Sequence, residues 1–154
     1  MSAWPPVCKE VSIALDAPQA FTLFTEGMAR WWPMRSHSCF AEQAVRIEIE
    51  PRVGGRVTEH ARDGRSSPWG QVTIWEPPLR FAMTWHPANA PEQATRLEVS
   101  FTPAAAGCIL RLVQDGWEAR GEDAGSIRHE YDTGWGQVLK RYVELAQAAG
   151  PGLG

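Results

Sequence analysis

The sequence predicts an α+β fold in which a long antiparallel sheet packs against one C-terminal helix. Three observations support this class: a capped helix over residues 16–26, a series of short alternating segments after it, and a long amphipathic helix over residues 126–148. A curved sheet that wraps around one long helix encloses space. We therefore expect a small-molecule pocket between sheet and helix.

The first strand and the first helix meet at Asp16. Residues 7–15 alternate between two faces, which predicts a strand. Asp16 and Gln19 have the spacing of a capping box, so a helix is expected to begin there. Gly27 ends that helix, and a second short helix is predicted over residues 28–32.

Six further strands and a long helix complete the predicted fold. Alternating segments separated by Pro and Gly turns predict strands over residues 44–50, 55–62, 69–76, 79–86, 95–102 and 108–115. The segments 34–43 and 117–125 are expected to be irregular. In the last helix, Gly134 and Gly136 each cost roughly 0.5–1 kcal/mol relative to Ala, so we expect a close approach of the sheet or a ligand there.

Composition argues against several classes of protein. The 154 residues predict a single domain over 1–154 with a core of its own. A net charge of −3 without a Lys/Arg cluster argues against a nucleic-acid partner. Three separated cysteines favour a reducing, cytoplasmic setting. We expect no secretory signal and no membrane insertion, because no stretch approaches the ~20 apolar residues of a membrane-spanning helix.

Short motifs along nearly the whole chain resemble a known family. They are Ala17-Pro18 with Phe21 and Trp31-Trp32, Gly54-Gly55-Arg56-Val57, Trp69-Gly70 with Val72 and Glu76-Pro77-Pro78, Phe81 to Trp85, and Gly134-Trp135 with Leu139. In this order they resemble the helix-grip fold of the START/Bet v 1-like (SRPBCC) superfamily. Within that superfamily, the chain is similar to the domain related to the activator of Hsp90 ATPase.

The resemblance implies a curved sheet of about seven strands gripping a long helix, with a cavity between them. It implies no single activity, since such proteins include ligand carriers, polyketide cyclases and proteins of unknown role. Hsp90 activators carry much of their co-chaperone action on a separate N-terminal domain. The chain has no room for that domain, which disfavours a chaperone function.

Eight tryptophans provide an unusual amount of aromatic surface, enough to line a pocket as well as fill a core. We predict a ligand-binding set drawn from inward strand positions, the tryptophan-bearing segments and the buried stripe of the last helix. Its members are Trp32, Val57, Glu59, His60, Val72, Trp75, Met83, Trp85, Trp117, Tyr131 and Trp135.

Glu59 and His60 are neighbours in one strand, so their side chains face opposite sides of the sheet. Whichever faces the concave side could anchor a polar ligand group or act as an acid or base. The pattern leaves the choice open. We favour the alternative that Glu59 lies at a sheet rim, solvated or paired with an arginine.

The sequence contains no strong signal for a metal, a cofactor or a nucleophile. His37 and Cys39 lack a second ligand pair at suitable spacing, and no nucleophile elbow or dinucleotide-binding glycine pattern occurs. We therefore predict no catalytic residues, metal or cofactor, and favour a protein that binds a small apolar or aromatic molecule. Two alternatives stay open: a cyclase- or hydratase-like enzyme, and an interaction module that binds a chaperone or forms a homodimer.

Overall fold

The computed structural model describes residues 4–149, and a single antiparallel sheet organises them. Its strands are β1 (Val7–Ile13), β2 (Ala44–Ile49), β3 (Arg56–Ala61), β4 (Ser66–Glu76), β5 (Arg80–Trp85), β6 (Thr95–Ala104) and β7 (Gly107–Asp115). In space the order is β1-β7-β6-β5-β4-β3-β2. Strands β2 to β7 thus form a meander, and β1 extends it at one edge by pairing with β7.

Four helices accompany the sheet. They are α1 (Ala17–Thr25), α2 (Met28–Trp31), α3 (Met34–His37) and α4 (Ala124–Ala149), with short 3-10 turns at Ala41–Gln43, Pro91–Gln93 and Trp117–Asp123. The sheet curls around α4, which confirms the predicted helix-grip architecture. No helix within residues 4–149 is long and apolar enough to cross a membrane.

The predicted start of α1 is confirmed. The carboxylate of Asp16 accepts a hydrogen bond from the backbone N–H of Gln19 at 2.9 Å, and Asp16 lies in extended conformation just before the helix. This bond satisfies one of the backbone donors that a helix start leaves unpaired. The capping signal in the sequence therefore identifies the helix start correctly.

Two segments that we expected to be irregular are partly helical. Residues 34–43 contain α3, where the N–H of His37 donates to the carbonyl of Pro33 at 3.0 Å. Residues 117–125 contain a 3-10 turn and the start of α4. These short turns lack an apolar period of their own, so a pattern-based prediction passes over them.

Strand β4 begins at Ser66, three residues before its predicted start. Ser66, Ser67 and Pro68 pair with the residues of β3 from His60 to Thr58, after which the register shifts. The segment is polar and contains Pro, so its sequence resembles a loop. Pairing with β3 overrides that local preference.

The core has two aromatic parts. Around α1, the rings of Phe21, Phe24, Phe81 and Phe101 pack with centroids 5.7–6.3 Å apart, and the hydroxyl of Tyr142 donates to the carbonyl of Ala20 at 2.6 Å. The second part, built from tryptophans, lies beside the N-terminal half of α4 and includes the candidate site.

Candidate functional site

Four tryptophan rings meet beside α4. They are Trp32, which follows α2, Trp69 of β4, Trp85 of β5 and Trp135 of α4, and we call them the tryptophan cluster. Neighbouring ring centroids lie 5.1–5.9 Å apart in edge-to-face or tilted contacts. Such pairs contribute about 0.5–1.5 kcal/mol each beyond area burial, so the cluster forms a well-fixed wall.

Three rings of the tryptophan cluster are fixed by hydrogen bonds from their indole N–H groups. Trp69 donates to Oε1 of Glu59 at 2.9 Å, and Trp85 donates to the hydroxyl of Tyr131 at 2.9 Å. Trp135 donates to Oε1 of Gln114 at 2.7 Å. A buried indole usually finds an acceptor in this way.

Trp32 differs from the other members of the tryptophan cluster. Its side chain is only 5% exposed, yet its indole N–H has no hydrogen-bond acceptor within the described part of the chain. Two buried tryptophans outside the cluster also have acceptors, the carbonyl of Leu23 for Trp31 and that of Gln114 for Trp117. The unpaired donor of Trp32 is therefore an exception that calls for an explanation.

A pocket of about 300 Å³ opens beside the tryptophan cluster, bounded by α4, by the segment from Trp32 to α3 and by the end of β5 with the loop after it. Its volume lies at the lower end of the range for small-molecule sites, about 300–1,000 Å³. The wall is mostly aromatic and is formed by Trp32, His37, Trp85, Pro87, Glu130, Tyr131, Gly134, Trp135 and Val138.

A second, larger groove of about 580 Å³ runs along the outer side of α1. Its lining includes Glu26 and Arg30 but, among the residues that the structure describes, no aromatic side chain. The pocket beside the tryptophan cluster combines aromatic walls with an unpaired polar donor, so we take it as the candidate site.

Glu59 faces the interior, which decides between the two orientations that the pattern left open. Its side chain is fully buried, so the expectation of a rim position is wrong. Its carboxylate accepts from the backbone N–H groups of Cys39 at 2.8 Å and Phe40 at 2.7 Å, and from Trp69. Three donors occupy it, so Glu59 holds the segment after α3 against β3.

His60 lies on the outer face of the sheet, where its Nε2 is 2.9 Å from Oε1 of Glu48. This follows from the alternation within β3 once Glu59 points inward. The structure therefore does not place His60 beside the pocket.

Four of the eleven predicted binding residues line the pocket: Trp32, Trp85, Tyr131 and Trp135. The others lie elsewhere. Trp117 packs behind Tyr131 with centroids 5.6 Å apart, and Trp75 packs on Phe21 at 5.2 Å in the other aromatic part of the core. The remaining buried members, which belong to the core and not to the pocket wall, are Val57, Val72 and Met83.

Sequence reasoning missed five lining residues. Glu130, Gly134 and Val138 repeat every four residues, next to the row of Tyr131 and Trp135, so this helical spacing could have identified them. His37 and Pro87 lie outside the strands and the long helix, and no periodic signal marks them; they are the other two missed residues.

Gly134 shapes the pocket by the absence of a side chain. A Cβ built there would meet no atom of the described chain within 4 Å, and the same holds at the exposed Gly136. The expected close approach of the sheet is therefore wrong at both positions. At Gly134 the space that a side chain would fill belongs to the pocket.

Two titratable groups at the pocket have shifted pKa values. Burial, together with the positive charge of Arg141, lowers the pKa of His37, so its imidazole is neutral at neutral pH. Its Nδ1 lies 2.6 Å from the hydroxyl of Ser36, which leaves Nε2 for another partner. Burial raises the pKa of Tyr131, so its phenol stays protonated and remains a donor.

The structure offers little for metal binding or thiol chemistry. Within residues 4–149, no group of three or more His, Cys, Asp and Glu side chains is placed to hold a metal ion. Burial raises the pKa of the Cys39 thiol, which keeps it in the less nucleophilic protonated form.

Comparison with protein families gives a match over most of the chain. The model of the family described as activator of Hsp90 ATPase homolog 1-like protein matches residues 15–147. Among curated proteins, none matches the chain significantly.

Solved structures share the fold. An anthrahydroquino-gamma-pyrone synthase complexed with SUM is 32% identical, with a TM-score of 0.64 over 92% of this chain and 96% of the other. A Bacillus halodurans protein is 20% identical with a TM-score of 0.69, covering 95% and 99% of the two chains. An Aeromonas hydrophila protein is 17% identical with a TM-score of 0.65, covering 94% and 93%. The last two similarities show the fold alone.

Proposed function

The chain belongs to the activator of Hsp90 ATPase homolog 1-like family, and from that premise we propose that it binds a small apolar or aromatic molecule in the pocket beside the tryptophan cluster. Proteins of this fold commonly bind hydrophobic ligands. The observation that carries the proposal is the pocket itself, about 300 Å³ of space with three tryptophans in its wall.

The chemistry of the wall supports an aromatic occupant. Trp32, Trp85 and Trp135 contribute their rings to the wall, and planar molecules make stacked or edge-to-face contacts with indole rings. The hydrogen bonds of Trp85 and Trp135 fix their rings before any ligand arrives. A wall ordered in advance loses less entropy on binding, which favours affinity.

Replacement of Gly134 by Leu tests the proposal. The substitution adds four carbon atoms. Each carbon group occupies about the volume of a water molecule, ~30 Å³, so the new side chain would remove more than about 100 Å³ of the pocket. Gly136→Leu is the matched control, since it makes the same change two residues away on the exposed face of α4. Both variants should keep or gain stability, because Leu exceeds Gly in helix propensity by roughly 0.8 kcal/mol.

The assay is thermal stabilisation and calorimetric titration with neutral two- and three-ring aromatic compounds. A compound present at 100 times its Kd should stabilise the wild-type protein by about 2.7 kcal/mol. We expect Gly134→Leu to abolish that effect and Gly136→Leu to retain it. Equal binding by all three proteins would place the ligand elsewhere and reject the proposal, as would no binding by the wild type.

A second candidate function is catalysis of ring closure. It is favoured by the 32% identity to the anthrahydroquino-gamma-pyrone synthase over nearly the whole of both chains. Glu59 is occupied by three donors and His60 faces outward, so the imidazole in reach of a bound molecule is that of His37. As a neutral group it can accept a proton from an acidic O–H or C–H group of the substrate.

A model reaction tests this second candidate. An ortho-hydroxyaryl diketone closes to a methylchromone with loss of water, which absorbance follows directly. If the chain is such an enzyme, wild-type protein accelerates the closure and His37→Gln loses that acceleration. His129→Gln, which changes an exposed histidine of α4, should retain it. No acceleration by the wild type, or full activity of His37→Gln, rules out this role for His37.

A protein-interaction function has less support. It would use an exposed apolar patch, whereas the large hydrophobic side chains exposed within the described chain come from four separate segments: Trp4, Val45, Val53 and Leu79.

A further inference from the structure

Two residues of the pocket wall, Trp32 and Tyr131, carry a hydrogen-bond donor for which the described chain offers no acceptor. One is the indole N–H of Trp32, which is buried and has no acceptor within residues 4–149. Burying such a donor without an acceptor is unfavourable. A purely hydrocarbon ligand would leave this cost in place, whereas an acceptor atom on the ligand would remove it.

The second donor is the hydroxyl of Tyr131. Its oxygen accepts from the indole N–H of Trp85 at 2.9 Å, so its own proton is free to bond elsewhere. No described residue accepts that proton. Burial keeps the phenol protonated by raising its pKa, and the bond from Trp85 polarises the hydroxyl and strengthens it as a donor.

Charges of both signs surround the pocket. Glu130, an exposed carboxylate, lies at the pocket wall, whereas the guanidinium groups of Arg141 and Arg120 act on His37 and Tyr131. These opposite charges favour neither an anion nor a cation. The wall therefore combines aromatic surface and two donors with a balanced charge, which suits a neutral ligand.

We propose that the pocket selects neutral aromatic molecules that carry a ring carbonyl, as in pyrones and quinones, and that the N–H of Trp32 and the O–H of Tyr131 bind the carbonyl oxygen. This inference rests on the proposed function and narrows it to one class of ligand. Trp32 and Tyr131 are then specificity-determining residues.

Chromone and naphthalene are suitable probes, because they are fused two-ring molecules of similar shape and only chromone has a carbonyl. Each is titrated by calorimetry into the wild-type protein and the variants Trp32→Phe and Tyr131→Phe. The readout is the ratio of the two dissociation constants in each protein. The two probes differ in hydration, but this difference is the same for every protein and cancels when the ratios are compared. A variant whose pocket has changed shape binds both probes more weakly, so this effect cancels as well.

We expect the preference for chromone over naphthalene to fall by roughly 5- to 10-fold in each variant, the loss of one hydrogen bond of about 1 kcal/mol. Tyr142→Phe is the matched control, since it removes a buried tyrosine hydroxyl that bonds Ala20 away from the pocket. Its ratio should equal that of the wild type.

A measurement on the wild type alone covers the case in which Trp32→Phe does not fold. The infrared carbonyl band of bound chromone should shift to lower frequency than in an apolar solvent, as expected of a doubly hydrogen-bonded carbonyl. Unchanged ratios in the variants, or an unshifted carbonyl band, would overturn the inference that the pocket binds a carbonyl. If naphthalene still bound, the proposed function would stand. Failure of both probes to bind would overturn both.

Discussion

Replacing Glu59 by Gln should destabilise the protein strongly although the two side chains have the same shape. The carboxylate accepts two hydrogen bonds at Oε1, from Cys39 and Trp69, and one at Oε2, from Phe40. Gln retains one acceptor oxygen, so its amide nitrogen must face a donor. One bond is lost, a buried N–H loses its acceptor, and the two remaining bonds lose the assistance of the charge.

The cost follows from these changes. A hydrogen bond to a charged group is worth about 1.5–3 kcal/mol, against about 1 kcal/mol for a neutral one. Removal of a buried charge returns part of the desolvation cost, so we expect a net loss of about 3 kcal/mol. For a chain of this length that loss lowers the Tm by roughly 6–12 °C.

Urea denaturation followed by tryptophan fluorescence measures this loss. Glu48→Gln is the matched control, because it makes the same change on the neighbouring strand at an exposed pair with His60, where the loss should stay under about 1 kcal/mol. If Glu59→Gln were as stable as Glu48→Gln, the three hydrogen bonds would not hold the segment after α3, and our reasoning would be refuted.

Two further predictions concern the tyrosines and a close approach between strands. Burial raises the pKa of both tyrosines of the chain, Tyr131 and Tyr142. Below the ordinary tyrosine pKa of about 10, the free energy that the two protonated side chains contribute to folding is fully present. As the pH rises above that value, the unfolded state loses the phenol protons first, and this contribution is lost. Phenolate absorbance should therefore appear together with unfolding, and a reversible titration near pH 10 in the folded protein would contradict this. Gly70→Ala places a Cβ in steric conflict with the carbonyl oxygen of Thr84, so strands β4 and β5 must separate. We expect a loss of more than about 3 kcal/mol in urea denaturation, with Gly136→Ala as a neutral or stabilising control. A well-folded Gly70→Ala protein of wild-type stability would show that the strands are not held this closely.

The fold follows largely from local patterns in the sequence. Alternation identified all seven strands, and the Asp16 cap and the apolar stripe of α4 identified the first and the last helix. These signals are local because side-chain direction repeats with the backbone period. The family resemblance then supplied the topology that places α4 inside the curl of the sheet.

The site was only partly predictable because its details depend on contacts between distant residues. Glu59 is buried since the N–H groups of Cys39 and Phe40, 20 and 19 residues away in sequence, satisfy its carboxylate. Alternation within β3 cannot show those partners. His37 reaches the pocket from α3, a four-residue helix without an apolar period. The unpaired N–H of Trp32 is likewise visible only after every other acceptor has been placed.

The most direct test of the pocket uses the indole N–H resonances of the protein labelled with nitrogen-15 at tryptophan. On titration with chromone, the signals of Trp32, Trp85 and Trp135 should shift together and saturate with one dissociation constant, because these three rings line the pocket. The signal of Trp31, which does not line the pocket and donates to Leu23, should stay in place. Shifts confined to other tryptophans, or no saturable shift for Trp32, would contradict a ligand site beside the tryptophan cluster.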